Sequence, residues 1–190
     1  SMMVELKLQA DALTQKDMRS WRQAWQTAID VENPRRGRLY DIYRDVEVDL
    51  HLEGCVGQRK GFVQKKGFKL VDAKGKQNDD ITRLFEAVWF KDMVGYILDS
   101  RYWGHSLIQL GDVVSIDGEM RYTGVELVNR KHVIQEYGVI IREQGDEWQT
   151  GVPYREGPMA DWVIEAGKPH DLGLYLKAAT QTIPKKNMLA

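Results

Sequence analysis

The stretch His51-Leu52-Glu53-Gly54-Cys55 contains His-x-Glu, the first half of the zinc deaminase signature, in which the histidine binds metal and the glutamate moves protons. That chemistry needs a Pro-Cys-x-x-Cys half as well, and the chain holds one cysteine, Cys55. The bland alternative is a histidine and a glutamate on a helix surface. His105, His132 and His170 lie far apart with no His-x-x-x-His spacing, so they do not suggest a closed zinc site. The glycines of "GCVGQRKGFVQKKG" invite a phosphate cradle, but Phe62 follows Gly61, and Gly75-Lys76 is followed by Gln77 where a P-loop needs Ser or Thr. The other reading of that stretch is a weakened or ended helix with Arg59, Lys60, Lys65 and Lys66 solvated. Ser106 and Ser115 fall in strand-like segments without the Gly-x-Ser-x-Gly elbow of a serine nucleophile. Asp79-Asp80 sits at a predicted helix N-terminus, where the macrodipole accounts for it. The six tryptophans could form a stacking platform for single-stranded nucleic acid. Trp21 and Trp25, however, share a helix face, which suits a core or subunit contact.

The elements that must position these residues follow from periodicity. Met18, Trp21, Trp25 and Ala28 recur at three- and four-residue steps, predicting a helix over 14–30 with Thr14 or Asp17 as N-cap, stopped by "VENPRRGR". Leu39, Ile42, Tyr43, Val46 and Leu50 predict a second helix from about 38 to 65, interrupted at Gly54, Gly57 or Gly61. "GFKLVDAKGK" alternates like a short strand running into a turn. Asn78 or Asp79 then caps a helix whose stripe includes Ile81, Leu84, Phe85 and Val88, then Phe90, Met93, Val94, Ile97 and Leu98. After Gly104 the period becomes two. Two or three strands are expected, parted by Asp117-Gly118 and Gly145-Asp146, with another in "DWVIEAG". A final helix is expected to start at Asp171 and to close at Pro184, and "KKNMLA" could begin another.

The fold class this predicts is α+β, with amphipathic helices on a small, mostly antiparallel sheet. A chain of 190 residues can bury a core without a disulfide or metal staple, and a lone cysteine fits a reducing compartment. The net charge of −1 gives the whole molecule no reason to seek nucleic acid or an anionic membrane, so any such contact must be local. No apolar run is long enough for a membrane span and no leader opens the chain, so a soluble intracellular protein is expected. Ser1 before Met2-Met3 suggests an expression remnant, and the abrupt end suggests a truncated piece. Charge is uneven: Asn33 to Lys66 holds eight basic and five acidic residues, and Glu143 to Asp171 seven acidic and two basic. Two oppositely charged edges would suit head-to-tail association.

The segment "LFEAVWFKDMVGYILDSRYWGHSLIQL", a long helix ending in an aromatic and a glycine with a strand at once after it, resembles phage portal proteins. "LYDIYRDVEVDLHLEGCVGQRKGFVQKKGFKLVD" upstream resembles that family's helix and short strand. "VELVNRKHVI" downstream resembles its next strand and loop, departing from it at Asn129-Arg130-Lys131 where a proline is usual. The resemblance runs over roughly residues 35 to 185 and is strongest to the Mu-like prophage portal group. It implies the N-terminal, wing-like part of a subunit about twice this length, with residues 1–34 as a helical arm and 35–190 as the wing domain. It also implies a structural, non-enzymatic role with no cofactor. The expected setting is a ring, usually of twelve subunits, at a capsid vertex of the virion, assembled in the bacterial host cytoplasm. DNA would pass through its channel, and its partners would be a terminase motor, capsid and head-completion proteins, and no membrane. Within that frame Gly104 is expected to end the helix with positive φ, with Tyr102 and Trp103 sealing the corner between helix and sheet layers. Arg35, Arg36, Arg38, Arg59, Lys60, Lys65 and Lys66 are candidate contacts to nucleic acid or to a neighbouring subunit. A competing reading makes the chain an independent nucleic-acid-binding module using that basic segment, and a third an enzyme with a polar pocket.

Overall fold

A computed structural model describes residues 2–48, 50–67, 69–79, 82 and 87–189, without the side chains of 2, 6, 50–53, 62, 186, 188 and 189. Asp80, Ile81, Leu84 and Phe85, and the side chains of Leu50, His51 and Glu53, therefore lie outside the described residues.

Helix α1 runs Met2–Ala28, starting a dozen residues before the expected point, so Thr14 and Asp17 are interior and do not cap it. The added turns are rich in Met, Glu, Leu, Lys, Gln and Ala, all good helix formers. Ala24 and Ala28 are buried in the core while Leu8 and Leu13 are exposed. The Asp30 carboxylate accepts from the amides of Glu32 (3.0 Å) and Asn33 (2.7 Å), which turns the chain toward Pro34.

Helix α2, Gly37–Val48, buries Leu39, Tyr40, Tyr43 and Val46, one face at helical spacing. Helix α3, Leu50–Gln64, follows, and the interruption predicted at a glycine does not occur. Gly54, Gly57 and Gly61 are all helical, each at about 1 kcal/mol relative to Ala. Docking of Val56 into the core and an ion pair from Lys60 to Asp99 outweigh that propensity.

The expected strand after Gly67 is reduced to one bridge, Val71 to Gln77, because the Asp72 carboxylate takes the Lys74 and Lys76 amides and curls the chain. The expected continuous helix from Asn78 is also corrected. Ala87 is extended (φ −77, ψ 157), and helix α4 begins afresh at Val88 and runs to Trp103. The helix is therefore broken at Ala87, within the expected stripe.

Eight short strands follow where fewer were expected: β1 His105–Leu110, β2 Val113–Ile116, β3 Glu119–Tyr122, β4 Val125–Leu127, β5 Val133–Ile134, β6 Val139–Ile140, β7 Val152–Pro153 and β8 Val163–Gly167. They make three antiparallel sheets, ordered β4-β1-β8, β2-β3 and β5-β6-β7. Asp117-Gly118 forms the β2–β3 turn with both φ positive (53 and 83), as a two-residue hairpin requires. Gly145-Asp146 lies in the loop between β6 and β7, where Asp146 accepts the Glu143 amide.

Helix α5 runs Tyr175–Leu189 with Pro184 inside it, so it neither starts at Asp171 nor closes at the proline. Asp171 caps a turn instead, accepting the Gly173 amide at 2.8 Å. An interior proline removes one helix hydrogen bond. The helix survives because it packs on α1 and α2, with Asn187 Nδ2 donating to Asp17 Oδ2 at 3.0 Å beyond the proline.

The larger core joins α1, α2, α3 and α5 around Leu39, Tyr43, Tyr175 and Ala179. A smaller one lies under the sheets around Leu107, Val133 and Tyr154. Helix α4 packs against β1, β4 and β8, so the architecture is α+β. In β1 residues 105–108 are buried on both faces, which is why the period-two pattern fades there. Among the described residues no helix is long and apolar enough to cross a membrane.

A candidate contact site at the helix-to-sheet corner and its basic cleft

The corner is built from the end of α4. Gly104 has φ 94 and ψ −30, and its amide donates to Ser100 O at 2.7 Å, closing the last turn before β1. A β-carbon there would lie within 2.9 Å of the Asp171 carbonyl carbon and closer still to its oxygen, so both conformation and packing require glycine. Tyr102 and Trp103 are half-buried against the helical core. Trp103 stands edge-on to Tyr43 (5.8 Å between ring centres) and Tyr175 (5.7 Å), the geometry that aligns ring edge with ring face. Its indole Nε1 donates to Glu47 Oε2 at 3.0 Å, as does the Tyr175 hydroxyl at 3.1 Å. The Arg130 guanidinium lies 4.7 Å from the Trp103 ring centre. Its Nη2 also donates to Ser106 Oγ (2.9 Å) and its Nε to His105 O (3.2 Å), which ties the 130–132 turn to β1.

Beside the corner a second polar network joins β1, β8 and the β7 region. Glu165 Oε1 accepts from His105 Nε2 (2.7 Å), the Tyr154 hydroxyl (2.8 Å) and Arg155 Nη2 (2.7 Å), and its Oε2 accepts Arg155 Nε at 2.9 Å. Burial alone would raise this carboxyl, but the donors from Arg155, His105 and Tyr154 together lower it to about 2. Burial is the dominant influence on His105 and lowers its pKa, so the neutral ring donates its Nε2 proton to the carboxylate. Burial, with the Glu165 hydrogen bond, raises the Tyr154 hydroxyl, which stays protonated as a donor. Each member hydrogen-bonds another member of the network.

The sequence-predicted basic residues separate. Arg36 is buried (5% exposed). Its Nε and Nη2 donate to Glu136 Oε1 at 2.9 and 2.7 Å, and the rest of the guanidinium serves the carbonyls of Pro169 and Asp171. The buried Gln135 amide, oriented by this network, accepts from Arg36 Nη1 and Nε (2.8 and 2.9 Å) and from the Tyr40 hydroxyl (3.1 Å). Lys60 pairs with Asp99. Arg59, Lys65 and Lys66 are exposed along and just after the end of α3. Arg35 and Arg38 flank Arg36 at a cleft of about 620 Å³ beside the start of α2, which Arg130, Lys131, Glu136 and Gly145 also line. The structure thus brings Arg35, Arg36 and Arg38 together, apart from the α3 group.

Of the residues weighed for metal or nucleophile chemistry, His132 Nδ1 lies 3.1 Å from Ile141 O, and Ser106 is buried under Arg130. Trp21 and Trp25 stack with centres 5.7 Å apart, Trp21 packed on the core and Trp25 exposed. Sequence reasoning missed Arg130, Gln135, Glu136 and the whole Glu165 network. These pairings come from chain crossings 10 to 100 residues apart, and no local spacing encodes them.

A family model for the portal protein of Mu bacteriophage matches residues 40–190. The chain belongs to that family. No curated protein and no solved structure matched it. In this portal-family chain the match takes in α2 from Tyr40 onward, the corner and all eight strands; α1 and the segment bearing Arg35, Arg36 and Arg38 precede it.

Proposed function

We propose that this chain is a structural subunit of a phage portal ring, the channel at a capsid vertex through which DNA is packaged and ejected. The observation that carries the proposal is the family match over 40–190. The corner supports it: an interlocked glycine, an aromatic cluster and two closed polar networks make a stiff junction between helix and sheet layers, suited to bearing load and not to turnover. In this reading residues 1–34 are the arm and 35–190 the wing-like domain, and the partners are further copies, a terminase motor, capsid and head-completion proteins, and the DNA in transit. The work takes place in the virion and, during assembly, in the host cytoplasm. Arg35, Arg38, Arg59, Lys65 and Lys66 are the proposed contact residues, whereas Arg36 and Lys60 act within the subunit.

Electron microscopy of the full-length gene product tests the proposal. A closed ring with a central channel is the expected result. A compact monomer that retains DNA, with affinity falling steeply as salt rises, would instead select the nucleic-acid-binding module.

A further inference from the structure

The cleft beside α2 holds more positive charge than its own acids neutralise. Glu136 serves Arg36, and Asp41 serves Lys131. Arg130 is held by Trp103, Ser106 and a carbonyl and makes no ion pair among the described residues, with the Asp99 and Glu47 carboxylates acting on it at longer range. Arg35 and Arg38 have no ion-pair or side-chain hydrogen-bond partner among the described residues, and the N-terminus of α2 adds positive potential. The same chain carries a complementary element. The exposed segment 155–162 presents Glu156 and Asp161, whose carboxylates have no partner among the described residues, together with Trp162, 44% exposed. None of its residues lines the cleft.

We propose that the cleft of one subunit receives the 155–162 segment of the next, with Arg35 and Arg38 taking the Glu156 and Asp161 carboxylates. The contact joins two different surfaces, so it propagates head to tail, as a ring requires. It rests on the ring reading given above and names the residues of one subunit contact. The cleft suits side-chain carboxylates better than a phosphate backbone. It is a recess of about 620 Å³, which admits a few side chains. A protein segment can place its two carboxylates against Arg35 and Arg38. Trp162 would add apolar area at the rim, the residue type that dominates contact energies.

The test uses the whole chain with Cys55→Ser, which removes the exposed native thiol. One preparation carries Arg38→Cys and a second Asp161→Cys; both positions are exposed, so neither change disturbs the core. Mild oxidation of an equal mixture is expected to give mainly the mixed dimer. A chain with both cysteines is expected to give a ladder of dimer, trimer and longer species. Adding Arg35→Glu should weaken mixed-dimer formation about tenfold, near 1.4 kcal/mol. Combining it with Glu156→Arg on the other chain should restore the signal. Homodimers in equal yield, an intrachain disulfide, or a closed dimer without a ladder would each overturn the contact. So would loss of labelled duplex DNA retention on Arg35→Glu without any mixed dimer, which would assign the cleft to nucleic acid. Full-length rings that persist with Arg35→Glu alone and with Glu156→Arg alone would sink this contact and leave the ring reading standing. A full-length monomer would sink the ring reading itself.

Discussion

Replacing Arg36 with Met removes a buried guanidinium while keeping most of the aliphatic packing. Arg36 is 5% exposed, and the Glu136 side chain it serves is 10% exposed. The change leaves the Glu136 carboxylate without its 2.7 and 2.9 Å donors, and the carbonyls of Pro169 and Asp171 lose theirs. Breaking a buried pair by removing one partner costs about 3–5 kcal/mol, because the other charge stays out of water. In a domain of this size that lowers the melting temperature by about 6–20 °C. Urea unfolding followed by both far-UV circular dichroism and tryptophan fluorescence measures it, with the slope against denaturant unchanged. Adding Glu136→Gln to Arg36→Met is expected to recover part of the loss, since no lone charge then remains buried. A loss of only about 0–1 kcal/mol, the value of an exposed ion pair, would refute the reasoning. Arg36 would then be a hydrated surface cation and belong with Arg35 and Arg38.

Gly104→Ala should cost more than about 3 kcal/mol, combining about 1–2 for the left-handed backbone with displacement of the 171–172 backbone. Gly118→Ala, at φ 83 with open space around it, should show the backbone part alone. Equal melting temperatures for the two variants would contradict the packing at the corner. Acid should destabilise the fold in two stages. His105 has a lowered pKa in the fold, so stability present above pH 6.5 declines as the unfolded chain takes up its proton below that value. Glu165 is lowered to about 2 from 4.5, so its contribution is present above 4.5 and is lost as pH falls toward 2. The full shift would be about 3 kcal/mol, and solvent screening of this partly exposed carboxylate brings it to about 1–2. Urea midpoints measured between pH 7 and 2.5 should fall less steeply below pH 4.5 in Glu165→Gln than in the parent chain; identical slopes would exclude the role given to Glu165.

How far each element could be read from the chain depended on the range of the forces that make it. The stripe Leu39-Tyr43-Val46 and the Asp117-Gly118 turn were legible because both are consequences of neighbours within a few residues. The end of α4 at Gly104 was legible for the same reason. Gly54, Gly57 and Gly61 pointed to a break that does not occur, and Pro184 to an end that does not occur. In each case contacts from distant segments outweigh a local preference of about 1–3 kcal/mol.

The amino-acid sequence by itself determined the α+β class, the helix faces that turn inward, the corner at Tyr102-Trp103-Gly104 and the family, because periodicity, turn chemistry and motif order are written locally. Only the tertiary structure decided which charges remain available. It buried Arg36 against Glu136, drew His105, Tyr154 and Arg155 onto Glu165, and left Arg35 and Arg38 at the cleft. The reason is that a charge is neutralised by whatever lies within a few ångströms in space, and sequence distance carries almost no information about that once the chain has crossed itself.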